Sequence, residues 1–300
     1  MRTLATFLTL AAALGAAEYQ YRSPIVFGRG QQDEKTGRYI LHSKIWIMDE
    51  DGSNQRQITE GPSYDDHPSM YPDLRHVLYS EFTSPEFKTE LGAKLIKLDI
   101  YSGAREVVAE APGCALHHAS LSPLENVLAY HRDCGKNHEE WVGWGAGAYR
   151  VNTAASNGVA LPDSIIFMHE INKGGGSRFV SLARMWGHGA GAKMLFLTDD
   201  KSLHRRPAIS PDGNLLAWQT NMNGKDDEIY LANIDGSNPR NLTDAPGDDG
   251  HPWFSRDGKT IVFESDRTGT WEIWKVDLAT RKFTQLSHGG KKFESTRPRM

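Results

Sequence analysis

The sequence predicts an all-β fold, a six-bladed β-propeller closed by pairing of the C-terminal strand with the N-terminal blade. Three observations predict it. A self-similar unit recurs along the chain with a period in the range of propeller blades. Each good copy carries the same turn chemistry at the same offset from its strands. The last copy breaks off at Arg297-Pro298-Arg299-Met300, where the first, starting at Ser23-Pro24-Ile25-Val26-Phe27, takes up the same pattern.

The unit is clearest in the second half. Arg206-Pro207-Ala208-Ile209-Ser210-Pro211-Asp212-Gly213 matches His251-Pro252-Trp253-Phe254-Ser255-Arg256-Asp257-Gly258, and each leads into an apolar strand, Leu215–Trp218 or Thr260–Phe263. A second strand follows, Glu228-Ile229-Tyr230-Leu231-Ala232 or Glu272-Ile273-Trp274-Lys275-Val276, and the units close on Leu242-Thr243 and Leu286-Ser287. Upstream copies start at His67, His118 and Asn157, and the stretch 135–192 is irregular. Blade 1 is expected to be split between 23–60 and 293–300, because joining the two ends removes the open edges of a ring of sheets.

Residues 1–17 are read apart from the fold. A basic start at Arg2, an apolar run from Leu4 to Leu14 and the small residues Gly15-Ala16-Ala17 have the form of a cleaved signal peptide. The apolar run is too short to span a bilayer. Residues 18–300 are then one propeller domain, secreted or periplasmic. Cys114 and Cys134 flank a predicted hairpin turn near residue 124, and in an oxidising compartment they are expected to pair. Asn241-Leu242-Thr243 is a glycosylation sequon.

Composition narrows the partners. With 34 Lys+Arg against 38 Asp+Glu the chain has a net charge of −4, and nothing global draws it to nucleic acid or an anionic membrane. No stretch beyond the N-terminal run is suited to stable membrane insertion. A monomer with a glycan or a protein as ligand is expected.

The units Ser-Pro-Asp-Gly-(apolar strand) and Glu-Ile-Tyr/Trp…Asp-Gly-Ser-Asn-Pro/Gln-Arg…Leu-Thr resemble the WD40-like (PD40) repeats of TolB-type β-propellers. Ser210–Thr243 carries the resemblance best, and Asp49–Thr59 repeats its second half. It implies a propeller fold, which hosts many activities. A more distant resemblance to propeller-fold polysaccharide lyases of the oligogalacturonate type implies histidines around a channel-bound metal.

In a propeller the first strand of each blade lines the channel. Aligned by repeat, the channel ring is His67, His118, Asn157, Arg206, His251 and Arg297. Imidazoles ligate transition metals and guanidiniums grip carboxylates, so the ring suits a carboxylate, a metal or both. A divalent Mn, Ca or Zn on His67, His118 and His251 is the metal reading, and channel-water solvation of polar residues before proline is the plain one. For a lyase, His118 or His117 is the candidate base, Arg206 and Arg205 neutralise the substrate carboxylate, and Tyr149 or His138 donates the proton. As a binding module, the ring residues Asn157 and Arg297 join Trp144, Trp186 and His188 on glycine-rich loops to hold an anionic or polyhydroxylated ligand at the channel mouth. His131-Arg132-Asp133 and His138-Glu139-Glu140 offer a metal or hydrolase reading, but strand-end charges and a solvated loop explain them more simply.

Overall fold

The computed structural model describes residues 19–32, 40–86, 88–124, 127–143, 147–151, 155–172, 178–188, 191–224 and 226–300. The signal-peptide segment and Trp144 lie outside them.

The described chain is built from antiparallel four-strand units. The first holds β1 (Ile25–Gln32), β2 (Ile40–Met48) and β3 (Arg56–Gln57). The second holds β4 (Tyr64–Met70), β5 (His76–Phe82), β6 (Ala93–Asp99) and β7 (Arg105–Ala109). The third holds β8 (Ala115–Leu121), β9 (Leu128–Cys134), β10 (Asn137–Val142) and β11 (Tyr149–Arg150). The fourth, covering much of the irregular stretch, holds β12 (Ala155–Ala160), β13 (Ser164–Asn172), β14 (Arg178–Trp186) and β15 (Lys193–Phe196). The fifth holds β16 (His204–Ile209), β17 (Leu215–Thr220), β18 (Glu228–Asn233) and β19 (Arg240–Asn241). The sixth holds β20 (Asp249–Phe254), β21 (Thr260–Ser265), β22 (Glu272–Asp277) and β23 (Phe283–Gln285). The last strand, β24 (Phe293–Arg299), returns to the first unit and pairs antiparallel with β1.

Hydrogen bonding groups these strands into five sheets. The second and third units share one sheet through a single parallel contact, Ala93 opposite Ala115. The repeat chemistry explains the local geometry. In the fifth unit the Ser210 hydroxyl donates to Asp212 Oδ1 at 2.5 Å and accepts from Leu215 N at 2.9 Å, with Gly213 at φ +74° closing the turn. Ser255, Asp257, Thr260 and Gly258 repeat this in the sixth unit. The Glu-Ile and Leu-Thr/Ser motifs meet across the sheet. Thr243 donates to Glu228 at 2.5 Å and accepts from Ile229 N at 3.0 Å, and Ser287 does the same for Glu272 and Ile273. A buried carboxylate and a buried backbone N–H are satisfied by one hydroxyl.

Apolar side chains pack between the sheets. The largest cluster runs from Ile25 and Phe27 through Val159, Ile166, Leu216, Trp218 and Phe263 to Met300, so the first and last strands share a core with the middle of the chain. Cys114 and Cys134 form a disulfide with Cα atoms 4.3 Å apart, as expected. Among the described residues no helix is long and apolar enough to cross a membrane.

Candidate functional site

All six residues of the predicted ring lie on the first strand of their unit, and all six have left-handed backbone. The φ angles are +51° at His67 and His118, +53° at Asn157, +54° at Arg206, +48° at His251 and +55° at Arg297. Each falls inside a register shift: between Asp66 and Ser69, His117 and Ser120, Ser156 and Val159, Arg205 and Ala208, Gly250 and Trp253, and in the β1–β24 ladder between Thr296 and Arg299. A bulge adds one residue to a strand and re-aims its side chain. Positive φ is unfavourable for any residue with a Cβ, so six repetitions mark a strained feature that the surrounding sheet enforces.

The bulges gather a narrow throat. His67, His118, Asn157, Arg206, His251 and Arg299 surround a cavity of about 20 Å³, room for a single water or a ligand oxygen. Just beyond it, a cavity of about 190 Å³ is lined by Met70, Leu121, Pro211, Trp253, Phe254 and Met300 among others. Ser122 and Arg256 also line this cavity, so its walls are mixed polar and apolar.

The throat is rich in cations. Arg297 Nη1 lies 2.6 Å from Asp66 Oδ2, and its backbone N–H donates to Glu264 at 2.6 Å. His251 Nδ1 meets Glu264 at 2.7 Å. Burial outweighs that carboxylate and pushes His251 well below the usual imidazole range, so the imidazole is neutral; against its own burial, Glu264 is held low by hydrogen bonds from His251 and the Arg297 backbone and by the Arg297 charge. Burial keeps His67 and His118 well below the usual imidazole range. Arg206 differs from Arg297. Its side chain donates to the neutral amide of Asn157, and among the described residues no carboxylate forms an ion pair with it. Burial, then repulsion from Arg297, lowers Arg206 to about 9, and burial lowers Arg299 to about 10.

The predicted metal set does not assemble as proposed from sequence. Donor atoms of His67 and His118 come together with His117, all within 4.8 Å, whereas His251 is outside that group and bound to Glu264. The guanidiniums of Arg206 and Arg297 bear on His67, and Arg206 bears on His118 as well, an environment that opposes a dication and attracts an anion. The predicted lyase set is also dispersed. Arg205 is engaged by Asp227. Tyr149 lies on the outermost strand of its unit, its ring tilted against His188 with centroids 4.6 Å apart, and Trp186, at the end of β14, packs under Arg184. None of Tyr149, Trp186 and His188 lines the throat. The sequon residue Asn241 uses Oδ1 to accept from the Thr243 and Asp244 N–H groups, and its Nδ2 is buried in the folded chain.

One expectation from the sequence is overturned. His131-Arg132-Asp133 and His138-Glu139-Glu140 are a folded cluster, not a solvated loop. His131, Asp133 and Glu140 are buried, and His117, His131 and His138 all converge on the Asp133 carboxylate. Burial works against charge on His131, but the Asp133 carboxylate and the nearby Glu140 raise it to about 9.

Residues 193–299 match the family model for the TolB beta propeller domain, PD40. A Tol-Pal system protein TolB from Bordetella pertussis is 42% identical over 52 residues, 17% of this chain and 12% of that protein. A protein TolB homolog from Chlorobium luteolum is 27% identical over 30% of each chain. The matched segments therefore take in well under two thirds of the length of these relatives. The crystal structure of TolB from Acinetobacter baumannii superposes with a TM-score of 0.73 at 18% identity, covering 94% of this chain and 67% of that one. Together with the repeat chemistry already described, these likenesses support a TolB-like β-propeller, the family model itself matching residues 193–299.

Proposed function

We propose that this protein is an extracytoplasmic binding module whose channel captures a carboxylate-bearing segment of a partner protein. The architecture behind this reading is one domain over residues 18–300 with six blades, the eight-stranded sheet counting as two because only Ala93 and Ala115 join its halves. The observation that carries the reading is Arg206. It is a partly buried guanidinium at the throat, bonded to a neutral amide, beside Arg299 and the imidazoles of His67, His118 and His251. Glu264 attracts it from beyond ion-pair distance, and a ligand carboxylate would give it a direct partner. The throat is too small for a sugar ring, and the larger cavity, which sets Trp253 and Phe254 beside Ser122 and Arg256, fits the mixed side chains that flank an acidic residue in a peptide. Relatives named as Tol-Pal system proteins favour a protein partner, and the disulfide favours an oxidising compartment such as the periplasm.

The test is binding to arrays of acidic and neutral peptides by the wild type and by Arg206→Gln. Selective binding of acidic peptides, weakened by salt and lost in the variant, is the expected result. Equal binding of neutral peptides, or release of unsaturated uronates from a polyuronate panel, would overturn the reading.

A further inference from the structure

We propose that His117, His131, His138 and Asp133 form a binding site for a transition-metal dication of the zinc class, adjoining the throat through His117 but centred on the Asp133 carboxylate.

Strand register creates the group. The β8–β9 ladder sets His117 opposite His131, and the β9–β10 ladder sets Asp133 opposite His138 and His131 opposite Glu140. His117 Nε2 lies 2.9 Å from Asp133 Oδ2, while His131 Nε2 and His138 Nδ1 lie 2.8 and 2.5 Å from Asp133 Oδ1. The donor atoms of His117, His131 and Asp133 fall within 4.8 Å of one another. Zinc bonds of about 2.0–2.2 Å separate neighbouring ligand atoms by roughly 3 Å, so the His117, His131 and Asp133 donors would draw together around an ion, with His138, 2.5 Å from Asp133 Oδ1, as the fourth group at its edge. Three imidazoles and one carboxylate are a donor set for zinc, cobalt, nickel or copper and a poor one for calcium or magnesium.

The surroundings fit the same ion. His131 Nδ1 lies 3.5 Å from Glu140 Oε2 without a hydrogen bond, close enough for a small ring rotation to give the carboxylate–histidine–metal arrangement that orients a ligand ring. Glu140 is fully buried and accepts from Gly158 N at 2.6 Å; a Cβ at Gly158 would stand 2.5 Å from that carboxylate. With neutral imidazoles, Asp133 and Glu140 together balance two positive charges. The His138 side chain is 61% exposed and gives an ion an entry path. The Cys114–Cys134 disulfide adjoins Asp133 and clamps β8 to β9 where the ligands converge.

The experiment uses the untagged, disulfide-bonded protein, stripped with chelator and titrated with Zn²⁺, Co²⁺ and Ca²⁺. One equivalent of Zn²⁺ retained through dialysis, a raised melting temperature, and tetrahedral d–d absorption with Co²⁺ are expected, with no response to Ca²⁺. His138→Ala, at an exposed position that leaves folding intact, should weaken Zn²⁺ about 10-fold, and Asp133→Asn about 100-fold. His67→Ala should leave affinity unchanged. Sub-stoichiometric zinc in the wild type, or equal affinity in wild type and His138→Ala, would overturn the proposal. So would loss of zinc in His67→Ala with retention in Asp133→Asn, which would move the ion to the throat.

Discussion

Arg297 on the last strand holds Asp66 on β4 at 2.6 Å, with the carboxylate wholly buried and 22% of the guanidinium side chain exposed. This ion pair fastens β24 to the second unit at the level of the ring. Removing one partner leaves the other charge stranded, which costs about 3–5 kcal/mol in a buried pair. The residual exposure of Arg297 places Asp66→Asn near the lower end, about 3 kcal/mol. Urea unfolding of Asp66→Asn, of Arg297→Met and of the double variant should show the double less destabilised than the sum of the singles. Simple additivity would show that the pair is not coupled.

The left-handed ring positions give a second prediction. Asn157→Gly and Asn157→Val both remove the acceptor for Arg206, and they differ in tolerance of φ +53°. The valine variant should be the less stable by about 1–3 kcal/mol. Equal denaturation midpoints would mean that the bulge relaxes at no cost.

Glu294 on β24 is buried, and desolvation followed by repulsion from Glu264, Asp266 and Glu272 pushes it up to about 7. For an acid raised in the folded state, stability is full below its unfolded value of about 4.5 and is lost as pH rises through 7. Glu294→Gln should therefore melt about 2–4 °C above the wild type at pH 8.5 and with no difference at pH 4. A constant difference at both pH values would remove ionisation as the cause.

The Cys114–Cys134 disulfide closes a loop of sequence separation 20. Cys114→Ser/Cys134→Ser should lose about 3 kcal/mol, measured by chemical denaturation under non-reducing conditions. A loss confined to the reducing-agent control, with the double variant as stable as the wild type, would contradict this.

Much of the architecture was legible because it rests on local chemistry. Ser210-Pro211-Asp212-Gly213 and its copy dictate a turn whose hydrogen bonds lie within five residues, and the alignment of those turns located all six ring positions. The left-handed backbone at those positions was not legible, because arginine and histidine carry no signal for positive φ as glycine does. The predicted metal set failed for a related reason. Repeat alignment identifies equivalent positions but not which nitrogen faces which neighbour, and Glu264, a β21 residue outside the motif, claims His251. The Asp133 cluster escaped because its members stand on three strands, and only the registers of two successive hairpins turn His117, His131 and His138 toward one carboxylate. Alternation along β9 alone makes His131 and Asp133 look like ordinary strand-end polarity.

The pairing of β24 with β1 carries a kinetic consequence. Gly28 meets Thr296 and Gln31 meets Phe293, contacts among the most distant in sequence that the molecule makes. Until the final strand docks, β1 presents one unsatisfied row of backbone donors and acceptors, and loop-closure entropy opposes that docking. During synthesis this edge waits for nearly the whole chain to emerge. The step most exposed to misassociation is therefore the last one, and a soluble peptide of the β24 sequence supplied in trans is the reagent that would compete for it.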